Sequence, residues 1–303
     1  MKQTRPSSST LRFLAPDVLA RIHSLELLAR TVVEGFMAGL HRSPRLGFST
    51  EFAEYRPYMP GDDLRLLDWK LFARTDRYYV KKFRGDTNTH GTILMDVSAS
   101  MDYGSGAITK RDYACYLAAS LAYLTNRQQD AVGWIAFADE LLQYIPAKHR
   151  PGHLHTVLLA IEKAATRKQT NIARSLERVA ALIKRRGILI VISDLYAEPD
   201  EILRGLKHLR FCGHDVLVFH ILDEHELDFP FTQPLYLEDL ETDEERHVVP
   251  ERLRAQYLRL LHEHIETLQQ ECGRAGIDYV LMKTSEPLDR ALFSYLSRRA
   301  KLY

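Results

Sequence analysis

The run Ile188-Leu-Ile-Val-Ile192 is apolar at every position, so it presents hydrocarbon on both faces however it is turned. A strand of that kind needs helices covering each side, which is the situation of a central strand in a parallel sheet. Similar short runs recur at 92–97, 131–137, 141–146, 215–222 and 277–282. Helical-period segments separate them, at about 109–127, 152–166, 172–186, 199–212, 250–275 and 287–301. In the first of these, Tyr113, Tyr116, Leu117, Leu121 and Leu124 fall on one face. The alternation predicts an α/β fold built on a doubly wound, mostly parallel six-stranded sheet. One connection departs from the pattern. Only Ala138-Asp-Glu140 separates two of the runs, and so short a link permits a hairpin but no crossover, so one strand must run antiparallel.

The first 89 residues have a different character. Leu19, Ile22, Leu25, Leu28, Val32 and Val33 recur at helical spacing after Pro16-Asp17, which predicts an amphipathic helix over 16–41. Beyond it come Tyr55-Arg-Pro-Tyr58, the turn Pro60-Gly-Asp-Asp63 and the alternating stretch Tyr78 to Phe83, which read as a hairpin. The expected organisation is an N-terminal helix and β-hairpin subdomain over 1–89 and an α/β domain over 90–303. An excursion near 224–250 interrupts the second with an acidic stretch from Glu238 to Glu245.

Charge excludes some partner classes. Lys plus Arg total 41 against 40 Asp plus Glu, so no global field favours nucleic acid or an anionic membrane, and partner choice must be local. Met1 to Thr10 is polar, and no apolar run reaches the roughly 18 residues of a membrane span, so the expected location is the cytoplasm. The three cysteines, Cys115, Cys212 and Cys272, are odd in number and widely spaced, as reduced thiols would be. The histidines lack the spacing of a zinc site and read as solvated or helix-surface residues.

In an open parallel sheet, ligands bind beyond the carboxyl ends of the strands where the strand order reverses. Three places qualify: Asp96-Val-Ser98-Ala-Ser100 after the first strand, Thr170 before the helix at 172, and Asp194 after the fourth strand. Asp-x-Ser-x-Ser alone is weak, since chance supplies it in roughly one chain in fifteen of this length. Here the aspartate closes an apolar strand, so alternate residues leaving it point the same way and Asp96, Ser98 and Ser100 can converge. Hard oxygen donors without thiol or imidazole suit Mg²⁺ or Mn²⁺ rather than zinc.

This set resembles the metal-ion-dependent adhesion site of von Willebrand factor A-type domains: Asp-x-Ser-x-Ser, then a threonine in a second loop, then an aspartate in a third. Asp96, Ser98, Ser100, Thr170 and Asp194 stand in that order. The resemblance implies an antiparallel edge strand reached by a short hairpin. It also implies a divalent ion bound directly by Ser98, Ser100 and Thr170, with Asp96 and Asp194 ligating or orienting water, and an open position for an Asp or Glu of a protein partner. The upstream Tyr55-Arg-Pro-Tyr-x-Pro-Gly-Asp-Asp-x-Arg-x-x-Asp-Trp69, with Ala73-Arg74, resembles the bacterial family called domain of unknown function 58. That likeness implies work beside a MoxR-type AAA+ ATPase, as an adaptor in chaperone-like or assembly tasks.

Other readings stand beside this one. Asp96, Ser98, Ser100 and Thr170 are also helix-capping residue types. Asp62, Asp63, Arg65, Asp68 and Arg74 can form an internal ion-pair lattice as readily as a binding surface. A phosphoryl-transfer enzyme with Asp96 as nucleophile would need a second carboxylate two residues on, and that position is Ser98, so the expectation is no catalysis. A third possibility is a scaffold that binds without metal.

Overall fold

The computed structural model describes residues 16–19, 22, 24–41, 54–57, 78–82, 89–167, 171–238, 240 and 245–300. The chain divides into two compact units, one of Met1–Met37 with Thr89–Tyr303 and a second of Ala38–Asn88.

In the smaller unit, β1 (Glu54–Pro57) pairs antiparallel with β2 (Tyr79–Lys82), in register from Glu54 opposite Lys82 to Pro57 opposite Tyr79. The intervening polar motif, including Trp69 and Arg74, lies outside the described residues.

The N-terminal helix is divided into α1 (Pro16–Leu19) and α2 (Leu25–His41), of which the residues up to Met37 belong to the larger unit, where the sequence pattern predicts one continuous helix. Ser24 accounts for the restart, because its side chain accepts a hydrogen bond from the Leu27 amide at 3.3 Å and its carbonyl takes the first helical bond from Leu28. Leu28, Ala29, Val32, Val33 and Phe36 form the buried stripe of α2.

The main sheet has six strands: β3 (His90–Asp96), β4 (Ala131–Phe137), β5 (Leu141–Lys148), β6 (Ile188–Ser193), β7 (Asp215–Leu222) and β10 (Asp278–Lys283). Its order is β10-β7-β6-β3-β4-β5, and every pairing is parallel except β4 with β5. The strands differ in burial as their positions require. Every residue of β4 and β6 is buried, whereas β5 is half-exposed along its length, as an antiparallel edge strand can be. Gly133 sits where the β4–β5 register shifts, and a Cβ there would come within 2.8 Å of the Ala147 backbone nitrogen, so the close approach of the two strands excludes any larger residue.

Helices cover both faces. On one, α3 (Lys110–Arg127) lies across β3, β4, β6 and β7, flanked by α4 (His153–Glu162) and α9 (Asp289–Ala300). On the other, α5 (Ile172–Leu182), α6 (Pro199–Phe211) and α8 (Pro250–Arg274) enclose a core of Leu94, Ile135, Leu176, Leu189, Val191, Leu206, Val216, Val218 and Leu268. Within the predicted excursion are a short α7 (Glu224–Asp228) and the hairpin β8 (Leu235–Glu238) with β9 (Glu245–Val248). The architecture is therefore the expected one: an α/β, doubly wound sheet with one antiparallel edge strand.

The chain runs outward from β3 through β4 to β5, then returns to place β6 on β3's other side. The strand order thus reverses between β3 and β6, and the carboxyl ends of those two strands define the crevice.

Candidate metal centre

Asp96 ends β3, and both of its carboxylate oxygens accept hydrogen bonds. Oδ1 accepts the Ser98 amide at 2.9 Å and Oδ2 accepts the Ser193 hydroxyl at 2.6 Å. The first bond folds the chain back over the strand end, so Ser98 and Ser100 leave on the same side. A 3₁₀ turn follows immediately (Ala99–Asp102). The Ser98 and Ser100 hydroxyls are hydrogen-bonded to each other at 3.0 Å, with Ser98 buried and Ser100 half-buried. Burial, and then the negative charge of Asp194, push Asp96 up to about 6.

Asp194 follows β6, and its carboxylate is also buried. The next residue, Leu195, has φ 52°, left-handed backbone that costs a non-glycine residue about 1–2 kcal/mol. Three contacts hold it there: its side chain is buried, its amide donates to Ser193 Oγ at 2.9 Å, and its carbonyl accepts from His264 Nε2 at 3.1 Å. Backbone strain beside a crevice of this type is characteristic of binding loops.

The third loop is described at its flanks. Arg167 donates its amide to the Val97 carbonyl at 2.8 Å and Asn171 donates to the Ala138 carbonyl at 3.3 Å, where Asn171 also caps α5. Thr170 itself lies outside the described residues. The structure thus brings four of the five predicted residues, Asp96, Ser98, Ser100 and Asp194, to one crevice.

The donor set fits a hard divalent cation in part. Ligands about 2.1 Å from Mg²⁺ at right angles lie about 3.0 Å apart, which is the separation of the two serine oxygens. Each Asp96 oxygen, with one hydrogen bond accepted, retains a lone pair that can hold a water of such an ion.

The crevice also contains a residue that the sequence reading missed. Lys110, the first residue of α3, is completely buried, and its Nζ lies 2.7 Å from Asp194 Oδ2 and 2.8 Å from Glu226 Oε1. The Tyr196 and Tyr103 rings stand 4.7 and 5.9 Å from the ammonium. Burial pulls Lys110 down, but the facing Asp194 and Glu226 charges outweigh it and the net shift is upward, whereas burial pushes Glu226 up. With two carboxylates at hydrogen-bonding distance, the ammonium is held charged. A lysine in the first turn of a helix opposes the dipole, but sequence alone does not say that it turns inward.

Glu226 leads on to a second knot. Its Oε2 accepts the Asp223 amide at 2.7 Å, and Asp223 accepts from Ser105 Oγ at 2.5 Å, the His225 amide at 2.9 Å and Thr284 Oγ1 at 3.0 Å. The histidines correct the expectation of a solvated set. His153, His214 and His220 are buried, and His153 contacts the Val132 carbonyl at 2.8 Å and His220 the Tyr279 hydroxyl at 2.5 Å. His153 opens α4, His220 lies in β7 and His214 in the turn before β7, and spacing alone does not report their burial.

The six-stranded sheet with its one antiparallel edge strand is von Willebrand factor A-like in fold. The family described as protein of unknown function DUF58 matches residues 54–267, and the chain belongs to it. Uncharacterized proteins of Mycobacterium tuberculosis and Mycobacterium bovis are each 27% identical over 273 residues, 89% of this chain and 86% of theirs. An aerotolerance-related membrane protein from Bacteroides fragilis NCTC 9343 shares the fold, with a TM-score of 0.50 at 15% identity over 70% of this chain and 99% of that one. BatB from Bacteroides thetaiotaomicron has a TM-score of 0.49 at 18% identity over the same shares. Among the described residues no helix is long and apolar enough to cross a membrane.

Proposed function

We propose that this protein is a non-catalytic, cytoplasmic interaction module that grips a partner through a divalent ion at the carboxyl edge of its sheet. The observation that carries this reading is the gathering of the hydrogen-bonded Ser98 and Ser100 hydroxyls with the buried Asp96 and Asp194 carboxylates at the carboxyl ends of the two switch strands. Ser98, Ser100 and Thr170 would hold Mg²⁺ or Mn²⁺ directly. Asp96 and Asp194 would hold its waters. When bound, the ion supplies a Lewis-acidic position for a carboxylate of the partner. Asp96 fixes the Ser98 backbone and takes the Ser193 hydroxyl, so the serine pair is presented by a rigid strand end rather than by a loose loop.

Charge balance supports the same reading. Asp96, Asp194 and Glu226 against Lys110 sum to minus two, which a divalent ion neutralises, so an incoming Asp or Glu meets no net repulsion. Catalysis finds no support at Asp96, because Ser98 stands where an acid/base carboxylate would be needed. The partner class that the family resemblance brings forward is a MoxR-type AAA+ ATPase, and an acidic side chain is the chemistry by which it would be recognised. The test is binding of such an ATPase to the parent and to Ser100→Ala, with Mg²⁺ and with EDTA. Capture that needs both the metal and Ser100 is expected. Capture indifferent to EDTA would favour a metal-free scaffold.

A further inference from the structure

We infer that Lys110 is a resident cation of this centre, competing with the divalent ion for the Asp194 carboxylate and so setting how tightly the ion is held. The inference rests on the metal-centre reading just given. A lysine at the first position of a helix normally turns its ammonium to water, away from the positive end of the dipole. Lys110 does the opposite. Its side chain is completely inside the protein, on two carboxylates beside the crevice, Asp194 from the loop after β6 and Glu226 from α7. One of these, Asp194, is the residue expected to take part in holding the ion. Its Oδ2 is already 2.7 Å from a full positive charge.

Two cations drawn to one carboxylate repel each other, and among buried groups the interaction is screened far less than in bulk water. The ammonium lowers the negative potential that Asp194 would otherwise offer and holds its Oδ2 on α3. Glu226 makes the competition possible, because it provides a second anchor on which the ammonium can rest when Asp194 turns toward a metal. Glu226 is in turn held by the Asp223 amide, and Asp223 gathers Ser105 and Thr284, so the position available to Lys110 is fixed by three loops rather than by a flexible surface chain.

The test is isothermal titration of Mn²⁺ into the parent, Lys110→Met and the charge-conserving double variant Lys110→Met/Glu226→Gln, each checked for fold by circular dichroism. The double variant guards against a single substitution that strands two carboxylates inside the protein and fails to fold. Removal of the ammonium should tighten Mn²⁺ binding roughly tenfold or more in both variants, with Lys110→Met the tighter. Added Mn²⁺ should also raise the melting temperature of the variants more than that of the parent. If the parent binds Mn²⁺ and the folded variants bind it equally or more weakly, Lys110 is only a structural brace and the inference fails, while the metal centre stands. If the variants bind and the parent does not, the lysine supplants the ion and the competition is upheld, while metal dependence of the parent is lost. If none binds, both readings are overturned.

Discussion

Asp96 is a residue whose replacement separates its two roles. Replacing it with Ala or with Asn removes the same charge, and therefore relieves the same repulsion from Asp194, so the difference between the two variants isolates the hydrogen bonds. Ala leaves the Ser98 amide and the Ser193 hydroxyl without their acceptor inside the protein. Each orphaned donor costs about 1–3 kcal/mol, or roughly 2–6 kcal/mol for the pair, against a total stability of about 5–15 kcal/mol. Asn keeps a carbonyl oxygen for the Ser98 amide, whereas its NH₂ cannot accept the Ser193 hydroxyl, so that donor loses its acceptor in both variants and the Ser98 bond is the difference between them. Asp96→Ala should therefore be less stable than Asp96→Asn by about 1–3 kcal/mol, while both lose divalent binding. Urea denaturation followed by circular dichroism in EDTA measures the difference. Equal stability of the two variants would show that the Ser98 bond does not hold the strand end, and the explanation of how the serines are presented would fall with it.

Other perturbations reach the surrounding framework. Thr109 and Asp112 form a reciprocal cap at the start of α3, so Thr109→Ala should cost about 1 kcal/mol in denaturant titration and weaken the placement of Lys110. Burial would raise the Asp223 carboxyl, but the hydrogen bonds from Ser105, the His225 amide and Thr284 prevail and hold it below its ordinary 3.8. A carboxylate lowered on folding stabilises the protein above pH 3.8, and that contribution is lost as pH falls through the folded value. Asp223→Asn should thus reduce the acid sensitivity of unfolding below pH 3.8, and an acid limb identical to the parent's would count against the knot.

The sheet was legible because its strands are buried on both faces, and unbroken apolar runs such as Ile188–Ile192 report that directly. The hairpin link at Ala138–Glu140 likewise decided strand direction by length alone. Asp96, Ser98 and Asp194 were readable from strand-end position, since a topological switch gathers the residues that follow its strands. Lys110 and Glu226 were not read, because their meaning depends on burial and on a contact across 116 residues of sequence. The bond from His264 on α8 to the Leu195 carbonyl was not legible either, because helical period does not say which neighbour a face meets.

The most direct measurement is Mn²⁺ affinity by calorimetry for the parent and for Ser98→Ala, a substitution that removes one hydroxyl from the crevice and leaves every carboxylate in place. The parent should bind one Mn²⁺ and the variant should lose that binding with its fold intact. A folded Ser98→Ala that binds Mn²⁺ as the parent does would contradict the assignment of the serine pair as the heart of the centre.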